Sequence, residues 1–169
     1  MKRLISRIFA AVSIVLAAVG CDKEENSVSG DGKIWDIAPV NLILRASEGG
    51  HDLFDLSYEG NIIDGVSVTY EGKDYKVEPD TKAWLAVFKG LQHYDFSEMH
   101  ILVFGEFSGT KDYKDMTFVV NWPDGKKDVV VYNRTFKWGR NGDPVIKEQT
   151  SVNGKEGKMI IERNSFGSY

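Results

Sequence analysis

Apolar side chains recur at every second position through most of the chain beyond Ile34, and this spacing constrains the fold more than any other feature. Val40, Leu42 and Leu44 form one such series. Successive side chains of a β-strand point to opposite faces, so a period of two is typical of strands with one buried face. We therefore expect residues 34–169 to form one domain built from strands.

Turn signals divide this region into short segments. The predicted strands cover residues 40–45, 66–70, 73–77, 99–107, 116–122, 128–138, 145–152 and 158–163. Between them stand the turn sequences EG at 71–72, PDG at 123–125 and NG at 153–154. Proline and glycine supply the backbone angles that tight turns need, so these sequences predict hairpins.

Several short strands with regular turn signals predict an all-β fold, a single antiparallel β-sandwich. One segment, residues 81–91, fits two structures. Its apolar residues Trp84, Val87, Phe88 and Leu91 have the spacing of one helical face. The same segment also fits a strand with an aromatic edge, so the sequence allows one short helix in the domain.

The first twenty residues have the pattern of a secretory signal peptide. Lys2, Arg3 and Arg7 give a positive start, and an apolar run covers residues 8–19. A helix needs about 20 apolar residues to span a bilayer, so this run is too short for a membrane span. A positive start, a short apolar run and small residues before a cut are typical of exported proteins.

Gly20 directly precedes Cys21, the only cysteine of the chain. This arrangement resembles the lipobox of bacterial lipoproteins, which implies cleavage before Cys21 and a lipid on its sulfur. A lone cysteine has no disulfide partner, which also favours modification. One acyl chain anchors a protein only marginally, whereas the two or three chains of that family hold it stably.

The residues after Cys21 carry a second signal. The sequence KEE at 23–25 resembles the surface-export signal of Bacteroidota lipoproteins. It implies display on the outer face of the outer membrane, with the periplasmic face as the alternative. Residues 22–33 are polar and rich in Gly and Ser, so with Cys21 they are predicted to form a flexible lipidated tether, residues 21–33.

The charge of the mature chain excludes some partners. Without Lys2, Arg3 and Arg7, 18 basic residues face 25 acidic ones, a net charge of −7. Such a surface opposes binding to nucleic acid, and the lipid on Cys21 must therefore provide the membrane attachment. The glycines stand in turn-like contexts, with no phosphate-binding motif, and we predict no cofactor.

Two clusters of titratable residues invite a chemical interpretation. Glu48, His51, Asp52 and Asp55 surround a glycine-rich loop and suggest a cation site. Their spacing matches no calcium loop, and zinc usually takes more His or Cys ligands. A solvated turn is the better interpretation, and we predict no metal.

The second cluster lies between His93 and His100, which flank Asp95, Ser97 and Glu98. These residue types occur in catalytic triads, but the nucleophile-elbow pattern around Ser97 is missing. Paired carboxylates for glycoside hydrolysis depend on spatial separation and cannot be singled out in the sequence. We therefore predict no catalytic residues.

The domain is rich in large aromatic residues: Trp35, Trp84, Tyr94, Phe96, Trp122 and Trp138. Core packing is their usual role, since each ring buries a large apolar area. Trp122 and Trp138 stand near predicted strand ends, where rings are often exposed. Together with Trp84 they are the candidate ligand-binding residues, because an exposed ring packs well against a sugar.

The sequences NWPDG at 121–125, DVV at 128–130 and NG at 153–154 resemble those of small Bacteroidota lipoproteins of unassigned function. That resemblance implies an immunoglobulin-like β-sandwich and brings no catalytic residues. The predicted function is non-enzymatic binding at the cell surface, either of a glycan or of a protein in an outer-membrane uptake or adhesion assembly. A small exported hydrolase and a structural spacer without a ligand are the alternatives.

Overall fold

The computed structural model describes residues 34–78, 90–96 and 99–166, and these are mostly strands. The strands in these ranges are β1 (Val40–Glu48), β2 (His51–Asp52), β3 (Ser67–Tyr70), β4 (Lys73–Lys76), β5 (Leu91–Phe96), β6 (Met99–Phe107), β7 (Tyr113–Asn121), β8 (Lys127–Trp138), β9 (Pro144–Val152), β10 (Lys155–Glu156) and β11 (Ile160–Arg163). A short 3-10 helix, Ile63–Gly65, precedes β3. The prediction of an all-β domain is confirmed.

The strands form two sheets that pack face to face as a β-sandwich. The first sheet has the order β11-β1-β6-β5, with β2 paired to β1. The second has the order β10-β9-β8-β7-β3-β4. All neighbouring strands are antiparallel except β1 and β11, which are parallel. The predicted antiparallel sandwich is therefore confirmed, with one parallel pair added.

Strand β1 illustrates how the alternating sequence builds the core. Leu42 and Leu44 are fully buried, while Ile43 between them is only partly buried. Leu42 lies opposite Phe104 and Leu44 opposite Leu102 on β6, so the two strands present their apolar residues to the same side. A one-residue shift in this register would turn every one of these side chains away from the core.

Two hairpins turn through residues with positive φ. Glu71 and Gly72 have φ of 50° and 75°, and Asn153 and Gly154 have φ of 52° and 76°. Two successive positive values define a turn whose twist matches that of the flanking strands. Glycine reaches this conformation without the steric cost that a Cβ imposes, which explains the second residue of each turn. Both predicted turns are confirmed.

An aromatic cluster joins the two sheets across the core. Phe104 of β6 contacts Phe118 of β7 edge to face, with 5.7 Å between ring centroids. The ring centroid of Phe107 lies 5.6 Å from that of Phe118. The ring centroid of Tyr70 on β3 lies 5.3 Å from that of Phe107. Edge-to-face pairs of this kind contribute about 0.5–1.5 kcal/mol beyond the apolar area that they bury. These contacts hold the sheets at one fixed spacing.

The last strand pairs differently from the prediction. The turn at 153–154 connects β9 only to the two-residue strand β10. The chain then crosses to the first sheet, where β11 lies parallel to β1 and Ile161 is buried against the core. The crossing places the side chain of Ile161 beside β1. If the chain had instead continued the hairpin with β9, this side chain would have stayed on the second sheet.

Strand β5 was not predicted. Residues 79–89 lie outside the described residues, so the alternative of a helix over most of 81–91 remains a prediction. Leu91 itself is fully buried and begins β5. The strand lies at the edge of its sheet, and beyond Leu91 its side chains are half-buried or exposed. Because an exposed edge strand needs no buried face, its apolar and polar residues do not alternate, and this alternation is the signal by which a strand is recognised in a sequence.

We expect Phe118→Ala to destabilise the domain by about 3–5 kcal/mol, since it removes a fully buried ring and leaves a cavity. Val129→Ala, at an exposed position on β8, should stay within about 0.5 kcal/mol of the unmodified chain. Urea denaturation followed by tryptophan fluorescence measures both free energies of unfolding. Equal losses in the two variants would contradict the role given to the aromatic cluster.

Candidate functional site

A groove of about 700 Å³ opens at one end of the sandwich. One wall is the segment of residues 35–41, which enters β1, and residues 156–159 continue the lining. The other wall is the end of the β8–β9 hairpin, with side chains that include Arg134, Ile146 and Glu148. Three separate parts of the chain thus form the groove.

The β8–β9 hairpin forms the second wall of the groove because the pairing of β8 with β9 extends further than the pairing of β7 with β8. The pairing of β7 with β8 ends where Tyr113 faces Arg134, while β8 and β9 continue pairing to Trp138 and Pro144. Side chains at alternate positions of β8 point to the same face. The face of β8 that packs into the core at Tyr132 therefore forms the wall of the groove at Arg134, further along the hairpin.

Trp35 provides the large aromatic surface of the first wall. Its side chain lines the groove and is 41% exposed. An indole ring that is packed on one side and exposed on the other offers a flat apolar surface to a ligand. Trp35 is one of the six large aromatic residues named from the sequence, but it is not among the three candidate ligand-binding residues predicted there.

A hydrogen-bonded network fixes the opposite wall. Glu148 Oε1 accepts a hydrogen bond from the Tyr132 hydroxyl at 2.7 Å and another from Arg134 Nη1. Arg134 is only 5% exposed, and its Nη2 donates to the carbonyl of Gly109. Glu148 is 46% exposed, and its Oε2 has no hydrogen bond within the described ranges. Two donors therefore hold one oxygen of a carboxylate whose side chain is half exposed, and the other oxygen takes no part in this network.

The ionisation state of Tyr132 suits this arrangement. Burial raises the pKa of Tyr132 to about 12, and the hydrogen bond to Glu148 acts in the same direction. The hydroxyl therefore keeps its proton at physiological pH and remains a donor to Glu148.

Two polar atoms beside the groove are buried without a partner among the residues that the structure describes. They are Nε of Arg134 and Oδ1 of Asn41. Both residues line the groove. An unpaired buried donor or acceptor costs about 1–3 kcal/mol, so a rearrangement that pairs either atom is favourable.

The groove residues suit a hydroxyl-rich ligand. Asp36, Glu148 and Glu156 face Arg134 and Lys158, an excess of one carboxylate. This balance disfavours a strongly anionic ligand. An aromatic face combined with a few fixed polar groups is typical of binding sites for small, oriented ligands. A sugar ring meets both requirements, since its C–H faces are apolar and its hydroxyls donate to a carboxylate.

The network could have been found in the sequence by one signal. Along the predicted strand 128–138, Val130, Tyr132 and Arg134 share the inward face. A charged residue at an inward position requires a partner, and pairing across the hairpin places Glu148 opposite Arg134. Asn41 gave no such signal, because its contacts depend on how the two sheets meet.

Trp122, one of the three candidate ligand-binding residues, is buried in the structure. Trp122 is 3% exposed, and its indole N–H donates to Asp128 at 2.7 Å. The guanidinium of Arg163 lies 5.2 Å from its ring, and Phe166 packs edge-on at 5.6 Å. The return of the chain along β11 brings these covering residues over the ring, an event that local sequence does not reveal.

Trp138, another of these candidates, is exposed, with 39% of its surface accessible, and it packs edge to face on Phe136 at 5.2 Å. It lies at the opposite end of β8 from Trp122, about 40 Å away for a strand of this length. The two tryptophans therefore do not share a platform. Cys21 and Trp84 lie outside the described residues, as do the predicted signal peptide and tether.

The histidine cluster lies at the other end of the sandwich. The rings of His93 and His100 are parallel, with centroids 6.1 Å apart. His93 Nε2 is 2.8 Å from the carbonyl of Phe54, and His100 Nδ1 is 3.4 Å from Asp95. Ser97 and Glu98 lie outside the described ranges. His93 Nε2 therefore contacts a backbone carbonyl oxygen and not the side chain of a nucleophilic residue.

The carboxylates near His51 stabilise turns. Asp52 accepts hydrogen bonds from the backbone N–H groups of Phe54 and His100. Asp55 accepts one from the N–H of Ser57, and its hydrogen bonds with Ser57 lower the pKa of that carboxyl. His51 itself stacks on Tyr58 with ring centroids 4.6 Å apart. These bonds agree with the prediction of a solvated turn.

The nearby carboxylate of Glu48 accepts the N–H of Phe166. Over the described ranges, no cluster of three or more His, Cys, Asp or Glu side chains is arranged to hold a metal ion. Nor does that part of the chain contain a helix with the length and apolar character needed to cross a membrane.

Tyr94 and Phe96 form a second exposed aromatic pair on β5, stacked with centroids 6.2 Å apart. The groove in contrast combines an aromatic ring, a fixed carboxylate and a concave shape. Comparisons of the chain with protein-family models, with curated proteins and with solved structures find no match. The groove is thus the candidate site on its geometry alone.

Asp124 and Arg163 allow a test of the contact that covers Trp122. Both side chains are largely buried, and the two nitrogens of Arg163 donate to the two carboxylate oxygens. This hydrogen bonding lowers the pKa of Asp124 below its ordinary value of 3.8. A lowered pKa stabilises the fold above 3.8, and this contribution is lost as the pH falls through the folded-state value.

We therefore expect Asp124→Asn to lower the melting temperature at neutral pH, and the difference from the unmodified chain to shrink as the pH falls below 3.8. Asp64→Asn, at an exposed aspartate, serves as the matched control and should change little at either pH. Melting curves over a pH series measure the effect. A difference for Asp124→Asn that is constant with pH would contradict the ion pair.

Proposed function

We propose that this chain is a lipid-anchored, non-enzymatic binding protein of the outer membrane that holds a glycan in the groove at the cell surface. The observation that carries the proposal is the pairing of exposed Trp35 with the oriented carboxylate of Glu148 across one groove. Trp35 offers an apolar face to a sugar ring. Glu148 Oε2 offers an acceptor to its hydroxyls.

Preorganisation supports binding at this site. Ordering a side chain during association costs about 0.5–1.5 kcal/mol, and a group held in advance avoids that cost. Glu148 is held by Tyr132 and Arg134 before any ligand arrives. The carboxylate therefore contributes its hydrogen bond to the ligand with little loss of freedom.

A binding role also suits the surroundings of the titratable groups. Glu148 is engaged by a guanidinium and a hydroxyl, which is the arrangement of a fixed acceptor rather than of a group that exchanges protons. The histidines His93 and His100 lie at the far end of the sandwich. Both points favour capture of a glycan over its hydrolysis.

Trp35→Ala should weaken glycan binding about tenfold or more, which corresponds to about 1.4 kcal/mol, because it removes the aromatic face. Glu148→Gln should weaken binding as well, since the amide is a poorer acceptor than a carboxylate. Leu56→Ala, at an exposed apolar position outside the groove, should bind like the unmodified chain.

The measurement is the rise in melting temperature of the full chain against a panel of polysaccharides, followed by titration calorimetry with the best one. Melting curves without ligand establish that each variant is folded. If binding is unchanged in both Trp35→Ala and Glu148→Gln, the glycan binds at a site other than the groove. A panel without any binder would favour a protein partner or a spacer role.

Cys21→Ala should release the protein from the membrane fraction, because the lipid is the proposed attachment. Detergent-phase partitioning of the two proteins measures the effect, and Ser27→Ala in the same region serves as the control. Retention of Cys21→Ala in the detergent phase would contradict lipidation. Protease treatment of intact cells then distinguishes surface display from the periplasmic face.

A further inference from the structure

The chain enters the domain at the end that carries the groove. Ile34 is 83% exposed, and the next residue, Trp35, lines the groove. Thirteen residues, 21–33, separate the proposed lipid on Cys21 from this entry point. Thirteen residues span at most about 45 Å when fully extended. The groove end is therefore the end at which the chain from the proposed anchor enters the domain.

Apolar side chains are exposed at this same end. Trp35 and Ile146 line the groove together, and both are exposed. Across the hairpin, Phe136 lies opposite Ile146 and Trp138 opposite Pro144, so all four share the face of the groove. These residues form an apolar surface on the hairpin tip, which we define as residues 136–146 and the adjoining Lys147.

The charge of the hairpin tip differs in sign from that of the whole domain. Lys137, Arg140 and Lys147 are exposed around the tip, and Asp143 is its one acidic residue. The tip thus carries a net charge of +2 on a mature chain of net charge −7. Basic residues beside exposed Trp and Ile suit an anionic bilayer surface, because indole rings favour the interface and cations favour the headgroups.

We propose that the hairpin tip docks on the phospholipid bilayer that holds the lipid anchor. This inference rests on the lipidation of Cys21 in the proposed function and goes beyond it. Trp138 enters the interfacial region, while Lys137, Arg140 and Lys147 contact anionic headgroups, and Ile146 remains in the wall of the groove. The anchor keeps the tip close to the bilayer, so a weak intrinsic affinity is sufficient for docking.

The opposite end of the sandwich is the internal comparison. Between β2 and β3, residues 53–66 carry Asp55, Glu59 and Asp64 and no basic residue, whereas Asp124 in the turn before β8 is paired with Arg163. This end lies about the length of β8 away from the hairpin tip. Docking through the tip leaves these acidic loops facing away from the membrane.

The test measures the quenching of tryptophan emission by brominated lipids. The full chain is purified from membranes and reconstituted into vesicles of phosphatidylethanolamine and phosphatidylglycerol, with either plain or brominated acyl chains. All proteins carry Trp35→Phe and Trp84→Phe, so that emission comes from the buried Trp122 and the exposed Trp138. Docking predicts quenching in the brominated vesicles, and Trp138→Phe should remove most of it.

Two further variants test the charges. Arg140→Glu combined with Lys147→Glu should reduce quenching in anionic vesicles, because the headgroup contacts become repulsive. Lys127→Glu, at the opposite end of β8, is the matched control and should leave quenching unchanged. Melting curves of each variant establish that it is folded.

The outcomes separate this inference from the proposed function. Anchored protein whose emission is the same in plain and brominated vesicles overturns docking and leaves lipidation intact. Quenching that persists in Trp138→Phe also overturns it. Absence of the protein from the membrane fraction overturns the anchor and this inference together. Binding of a protein to the tip, with no quenching, would assign the surface to a partner.

Discussion

The contact between the rings of Phe104 and Phe118 is the interaction on which the rest of the sandwich depends. It joins β6 of the first sheet to β7 of the second. Because both rings are fully buried, they fix the distance and the relative position of the two sheets. The groove exists only because the sheets stand at this distance where residues 35–41 pass beside the β8–β9 hairpin.

Much of the fold follows from local sequence. The alternation of apolar residues locates β1, β6, β7, β8 and β9 to within a few residues, and the turns EG and NG have the positive φ values that their glycines indicate. The parallel pairing of β11 with β1 does not follow. It depends on where Ile161 finds an apolar surface after the crossing, and this is a property of the assembled core.

The site was less predictable than the fold, for a physical reason. Trp122 and Trp138 look alike in the sequence, since each stands at the end of a strand. One is covered by Arg163 and Phe166 and the other is exposed, a difference made by residues far away along the chain. Arg134 is the instructive exception, because its inward position on a strand already required a partner such as Glu148.

The parallel pairing of β1 and β11 has a mechanical consequence. The chain enters at Ile34 before β1 and, in the described residues, ends at Phe166 after β11, at the opposite end of the sandwich. Tension between an anchor at one terminus and a load at the other would act along these two strands. Such a force shears the register from Ile43↔Ile160 to Ala46↔Arg163 as a whole and does not open it pair by pair. The two strands thus resist a pull along their length through all of their shared pairings at once.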